Sequence, residues 1–286
     1  MSFSRILIPV DFTINTEVAV KKAIELCEGP GMTIHLLHVP DLIPTSAFGY
    51  YRYLAKYSLN NDTEVSAEVK YRLEEWLDYI KKTRTGILAS YSVTYSSSVE
   101  KAIIEKAKSI AADLVIIGKN CQHSLLPFLN TVISGRIARR TGTSVLTVKP
   151  GALSNQVRTV VVPVGPMFPA NKLAIINSLG NKFRIHIRLL ILVQKGDDPD
   201  SLQTALLNVC RVLKNRSFNN ISYDVLKVGN KGWDIFHYCQ RVDADLLIVQ
   251  GSEDRIGWMN KDISDQLPVN SKTQVLAVSQ TNYSII

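Results

Sequence analysis

Cysteine is scarce in this chain: 286 residues carry four, Cys27, Cys121, Cys210 and Cys239, and no two stand in a CxxC pair. That spacing argues against a disulfide framework or a structural zinc site and fits reduced thiols in packing positions. Glycine (15) and proline (11) are also sparse beside 46% hydrophobic and 20% charged residues, which excludes a disordered or low-complexity organisation. Long apolar runs are missing as well. The opening MSFSRILIPVDF meets Asp11 after too short a run for a signal peptide, and no later stretch reaches bilayer length, so the reading is a cytoplasmic protein without a membrane partner. There is no basic tail either. The formal charge of +8 divides evenly, with 18 basic against 14 acidic residues in 1–150 and 15 against 11 in the remainder. An excess spread in this way is ordinary surface charge and does not point to a nucleic acid.

What the chain does contain is an internal repeat. Ile8-Pro9-Val10 matches Val162-Pro163-Val164 at an offset of 154, and Leu37-His38-Val39 matches Ile191-Leu192-Val193 at the same offset. Farther on, Ser90-Tyr91-Ser92-Val93 matches Ser222-Tyr223-Asp224-Val225, and Ala112-Asp113-Leu114 matches Ala244-Asp245-Leu246, both at 132. Val145-Leu146 matches Val275-Leu276 at 130, so the first copy carries an insertion between Val39 and Ala89. A chain of this length suits two domains, 1–150 and 151–286, with Lys149 to Asn155 as linker.

Within the first copy, RILIPV, TIHLLHV, SVTY, ADLVIIG and SVLTV read as buried parallel strands. Between them, TEVAVKKAIELC, the stretch from Glu64 to Arg84, VEKAIIEKAKSIA and NTVISGRIARR have helical period. The expected class is α/β: two tandem doubly wound domains, each a five-stranded parallel sheet with helices on both faces. Ligands of such sheets bind at the carboxyl ends of the strands near the switch in strand order, which directs attention to Pro9–Thr13, Val39 and Gly118 onward.

PVDFT before a helix, ADLVIIGK, and SVLTVKP after a further helix resemble the universal stress protein family over residues 4 to 150. TVVVPV, ADLLIVQG and QVLAV carry the resemblance, more weakly, into the second half. The resemblance implies an adenine nucleotide alpha hydrolase-like fold and a stress-response binding or signalling protein, not an enzyme. It also implies ATP or AMP as ligand in the first domain, with Asp11, Val39 and Gly118 in the family's roles; Pro9 at the same strand end, Lys119 as a cation, and Asn130 and Thr131 in the phosphate-loop region complete the candidate set. Single-domain relatives pair through their last strand, so SVLTV and QVLAV are expected side by side in an intrachain pseudo-dimer.

The family's phosphate loop has the form GxxG, nine residues, then Gly-Ser or Gly-Thr, in which glycines let backbone amides close on phosphate oxygens. Here Cys121 replaces the second glycine, and Asn130-Thr131 stands one residue early in place of Gly-Ser. In the second half Gly165 replaces Asp11, and Glu253 and Asp254 put negative charge where phosphates would lie. Two readings therefore stand: a nucleotide site in the first domain only, or a nucleotide-independent protein-interaction scaffold with both sites degenerate. A catalytic relative is the weakest reading, because an SGGxDS loop, a HIGH-type motif and an acid/base pair are all lacking.

Other constellations read as structural. His35 and His38 are three apart on a strand and face opposite ways, and Cys121 and His123 have no second pair, so no metal site is expected. Ser97, Ser98 and His123 lack a GxSxG elbow. The insertion's Phe48, Tyr50, Tyr51, Tyr53 and Tyr57, interleaved with Arg52 and Lys56, suit stacked bases or a protein contact, and the protein or self-association reading is preferred. The segment from Asp41 to Asn61 is expected to be a mobile lid beside the cleft.

Overall fold

The computed structural model describes residues 3–27, 31–40, 67–96, 98–119, 134–153, 156–165, 170–194, 196–215, 220–229, 231–250, 255–256, 261–262, 267–268 and 270–279. The first half contains β1 (Arg5–Val10), α1 (Ile14–Leu26), β2 (Thr33–His38), α2 (Ala67–Thr83), β3 (Leu88–Val93), α3 (Val99–Ser109), β4 (Leu114–Gly118), α4 (Ser134–Thr141) and β5 (Ser144–Val148). A short 3-10 turn, Pro150–Ala152, leads into β6 (Thr159–Val164), α5 (Ala170–Lys182), β7 (His186–Val193), α6 (Pro199–Asn215), β8 (Ile221–Lys227), α7 (Lys231–Arg241) and β9 (Leu246–Gln250). After them come β10 (Arg255–Ile256), β11 (Lys261–Asp262) and β12 (Gln274–Val278).

Ten strands form one sheet in the order β3-β2-β1-β4-β5-β12-β9-β6-β7-β8. Each half has the doubly wound order, and the halves meet where β5 and β12 pair antiparallel, Val275 with Thr147 and Ala277 with Val145. All other pairings in this sheet are parallel. Both meeting strands are wholly buried, as suits apolar edges that would otherwise be open.

Alternation along the strands divides the core into two layers. Ile6, Ile8 and Leu36 face the layer of α1, α2, α5 and α6, which runs unbroken through both halves. Leu7, Leu37, Val115 and Ile117 face α3, α4 and α7. The repeat extends to backbone detail. Ala111 and Asp243 both sit at left-handed φ (47° and 53°), and the Asp113 and Asp245 carboxylates each accept two N–H groups from the start of β1 or β6.

The structure corrects the repeat alignment at β2. Ile8 pairs with Leu36 and Val162 with Leu189, which gives an offset of 153 there and not 154. A one-residue slip turns every side chain to the other face: the alignment at 154 matches Leu37 to Ile191, yet these lie in different layers. β3 is also displaced from the expected SVTY to LASYSV. An edge strand does not need both faces buried, so apolar content marks it poorly. Its register is fixed by polar contacts instead, with His35 bridging Ser90 Oγ (2.9 Å) and Ser92 Oγ (2.8 Å).

Candidate functional site

The switch in strand order falls between β1 and β4. Their pairing is confined to Ile6–Leu114 and Leu7–Val115, while β1 stays paired with β2 through Val10. Pro9, with no N–H to offer a ladder, lies in the stretch where β1 and β4 part, and Pro163 repeats this in the second half. A cleft thus opens at the carboxyl ends of β1 and β4, where sheets of this class take ligands.

Asp11 follows β1 directly. Its Oδ1 accepts from Thr13 N (3.0 Å), Thr13 Oγ1 (2.7 Å) and Thr16 Oγ1 (2.9 Å), and its Oδ2 accepts from Asn15 Nδ2 (3.0 Å). The buried Thr16 hydroxyl in turn accepts the N–H groups of Asp11 and Phe12, which holds Phe12 at φ 57°. Thr13 caps α1 by accepting from Asn15 N at 3.1 Å. The carboxylate is therefore oriented by its own loop. Oδ1 is saturated, whereas Oδ2 has one donor and room for another.

Gly118 ends β4 against the first turn of α1. A Cβ placed there would lie 2.1 Å from the Asn15 carbonyl oxygen, so only glycine permits this approach. Val39 is buried in the layer of α3 and α4. Lys119 is fully buried, with its N–H on Val148 O at 3.0 Å, and Lys149 follows the paired Val148 and is also fully buried. The α4 helix is described from Ser134, whose hydroxyl pairs with Thr147 Oγ1 at 2.7 Å. Asn130 and Thr131 lie outside the described residues, as do Ser97, Cys121, His123, Glu253, Asp254 and the whole segment from Asp41 to Asn61.

Two residues that sequence reasoning passed over, Asn15 and Thr16, and one that it read as structural, His38, belong to this cleft. Asn15 presents a buried Oδ1 without a hydrogen-bond partner beside Asp11. Thr16 fixes the loop. His38 donates Nδ1–H to Val10 O (3.1 Å) and packs against Phe12 with centroids 4.7 Å apart and the rings tilted by 45°; burial pushes its pKa down, only partly offset by that bond and by Asp11. The signal for Thr16 was present, since Asp11-x-Thr13-x-x-Thr16 is the spacing of a turn closed by side chains onto a helix N-terminus.

In the second half the same place is built differently. Gly165 has no side chain and open space around its Cβ position. Register puts Gln250 opposite Val278 as Gly118 stands opposite Val148, so the glycine of close approach is also missing. Lys172, buried, sends its Nζ to Pro163 O at 3.2 Å.

Among the described residues no His, Cys, Asp or Glu cluster is arranged to hold a metal, and no helix is long and apolar enough to cross a membrane. Cys27, Cys210 and Cys239 are free, and burial pushes the Cys239 thiol up to about 12.

A family model described as the universal stress protein family matches residues 2–149. The chain belongs to the universal stress protein family. No curated protein sequence matches it. Solved structures resemble it over nearly their whole length. One is a universal stress protein from Archaeoglobus fulgidus, 13% identical, with a TM-score of 0.63 and 97% of each chain covered. Another is a putative universal stress protein from Pseudomonas aeruginosa, 11% identical, TM-score 0.58, covering 97% of this chain and 94% of that one. The cytoplasmic domain of a prokaryotic cation chloride cotransporter, 9% identical with a TM-score of 0.55, shares the fold over 96% of this chain and 95% of that one. At such identities the likeness concerns the fold alone.

Proposed function

We propose that this universal stress protein acts in the cytoplasm as a stress-response binding protein of two domains, 1–150 and 151–286, joined as an intrachain pseudo-dimer. Its first domain holds one adenine nucleotide, ATP or AMP. The observation that carries the reading is the asymmetry of the two clefts: the first has Asp11 oriented beside an unpaired acceptor on Asn15 and Gly118 at the end of β4, whereas the second has Gly165 after β6 and Gln250 in the register of Gly118. In this reading Asp11 Oδ2 accepts a ribose hydroxyl, Asn15 Oδ1 accepts a second ligand donor, and Pro9 and Val39 border the adenosine. Gly118 and Lys119, with Asn130 and Thr131, stand toward the phosphates. The chain binds and signals; it is not an enzyme.

Calorimetry with ATP and with AMP tests this. The expected result is one site per chain, lost in Asp11→Ala and retained in Gly165→Ala. Two equivalent sites, or binding indifferent to Asp11, overturns it. A second reading, a nucleotide-independent scaffold, is favoured by one feature: edge strand β8 exposes Tyr223 (60%) and Val225 (59%). An absence of binding by both nucleotides would select that reading.

A further inference from the structure

Beside the nucleotide cleft, on the far side of Phe12 from His38, α1 and α2 enclose an open groove of about 770 Å³ lined by Phe12, Tyr71, Trp76 and Tyr79 together with charged side chains of both helices. This volume is in the range that takes a small organic ligand. Its position follows from the pattern of α2. Leu73 and Ile80 are buried against the sheet, while Tyr71, Glu75 and Tyr79, four apart, share a stripe turned toward solvent beside Trp76. Trp76 and Tyr79 meet edge to face at 5.6 Å and 89°, so two aromatic walls stand at a right angle.

The charges in the groove are unequal. Lys21 closes on Glu17 at 2.6 Å and Arg72 on Glu68 at 2.9 Å, which accounts for both basic groups. The third carboxylate, Glu75, is bonded to the neutral phenol of Tyr71, so the groove keeps a net negative charge. One of its rings already serves a cation, since the Arg72 guanidinium lies over Phe12 at 5.7 Å. Aromatic faces and an uncompensated carboxylate favour a weakly hydrated cation and repel phosphates.

We infer that the groove between α1 and α2 is a binding site for a small organic cation carrying a quaternary or fully methylated ammonium on an apolar body, recognised by Tyr71, Trp76, Tyr79 and Glu75. This site is separate from the nucleotide cleft, with Phe12 at their common edge, and does not depend on the reading given to that cleft.

Titration of the full chain with choline and with benzyltrimethylammonium, followed by the Trp76 indole N–H signal in NMR, tests the proposal. The signal is assigned by its loss in Trp76→Phe. Saturable shifts are expected for both cations, with 3,3-dimethylbutan-1-ol, the uncharged carbon isostere of choline, binding about tenfold more weakly than choline. Glu75→Gln, an exposed change that leaves the fold intact, should weaken both cations several-fold without affecting the alcohol. Shifts that do not saturate, equal binding of the alcohol, or indifference to Glu75→Gln overturns the proposal. Because ATP is not used, failure here leaves the nucleotide reading untouched, and failure of that reading leaves this one standing.

Discussion

Gly118 and Asn15 are in direct apposition: the Cβ that Gly118 lacks would lie 2.1 Å from the Asn15 carbonyl oxygen. The contact seats the first turn of α1 on the end of β4 and thereby sets one wall of the cleft. The same glycine that a phosphate loop would use is required here by packing alone. Gly118→Ala should therefore destabilise the protein by more than about 3 kcal/mol in chemical denaturation, because the obstacle is backbone and cannot rotate away. An alanine variant within about 1 kcal/mol of wild type would show that α1 shifts freely.

Asp11 carries two roles that separate by substitution. Asp11→Ala removes four hydrogen bonds at the start of α1 and should lower stability by roughly 1–2 kcal/mol as well as abolish nucleotide binding. Thr16→Val removes the hydroxyl that orients Asp11 and holds the Phe12 backbone, yet leaves the carboxylate. It should weaken ATP binding about tenfold in calorimetry without abolishing it. Unchanged affinity in Thr16→Val would detach the loop network from the site.

His35 gives the fold a measurable pH dependence. Burial first, and the nearby Lys106 charge second, lower its pKa from 6.5 to about 4. Between these values the unfolded chain binds more protons than the folded one. The contribution is thus fully present above pH 6.5 and is lost as pH falls toward 4. Substituting Gln should flatten the stability profile across that window by roughly 1–2 kcal/mol, with partial exposure of the ring allowed for. Denaturation at several pH values on both proteins measures the difference, in which the carboxylates cancel; parallel profiles would refute it.

The two halves should unfold together. The layer of α1, α2, α5 and α6 is one continuous core, β5 and β12 are mutually paired, and Lys182 Nζ reaches Cys27 O at 3.1 Å across the boundary. Leu276→Asp, placed against Leu146, should lower stability by at least about 3 kcal/mol and accelerate amide exchange in β1 and β6 alike. Faster exchange in β6 alone would mean that the halves are independent.

Much of this architecture was legible in the sequence because parallel strands buried on both faces leave apolar runs that recur at constant offset. The same rule explains what was not legible. β3 lies at the sheet edge, so its residues, LASYSV, carry polar register contacts and no apolar run. At β2 the similar words LHV and ILV hid a one-residue slip, since apolar identity alone does not say which face a residue occupies. Asp11 was legible as a site candidate through resemblance. Gln250, which takes the register of Gly118, was concealed by Gly251 next to it, because only strand pairing says which of two neighbours ends the strand.

Gly165 has nothing within 4 Å of its Cβ position, so Gly165→Asp should fold as well as wild type. A carboxylate there would nevertheless lack the donors that orient Asp11: α1 (Ile14–Leu26) and α5 (Ala170–Lys182), equal in length, match at an offset of 156, which sets Asn171 and Lys172 where Asn15 and Thr16 stand, and Asn171 Nδ2 already donates to Ser279 O and Lys172 Nζ to Pro163 O. With those donors committed elsewhere, the carboxylate would remain solvated, and its interaction with a ribose hydroxyl would be worth little more than the water it displaces. Calorimetry with ATP should therefore give the same stoichiometry for Gly165→Asp as for wild type. A second saturable site in that variant would show that the carboxylate alone, and not its oriented setting, makes the cleft competent.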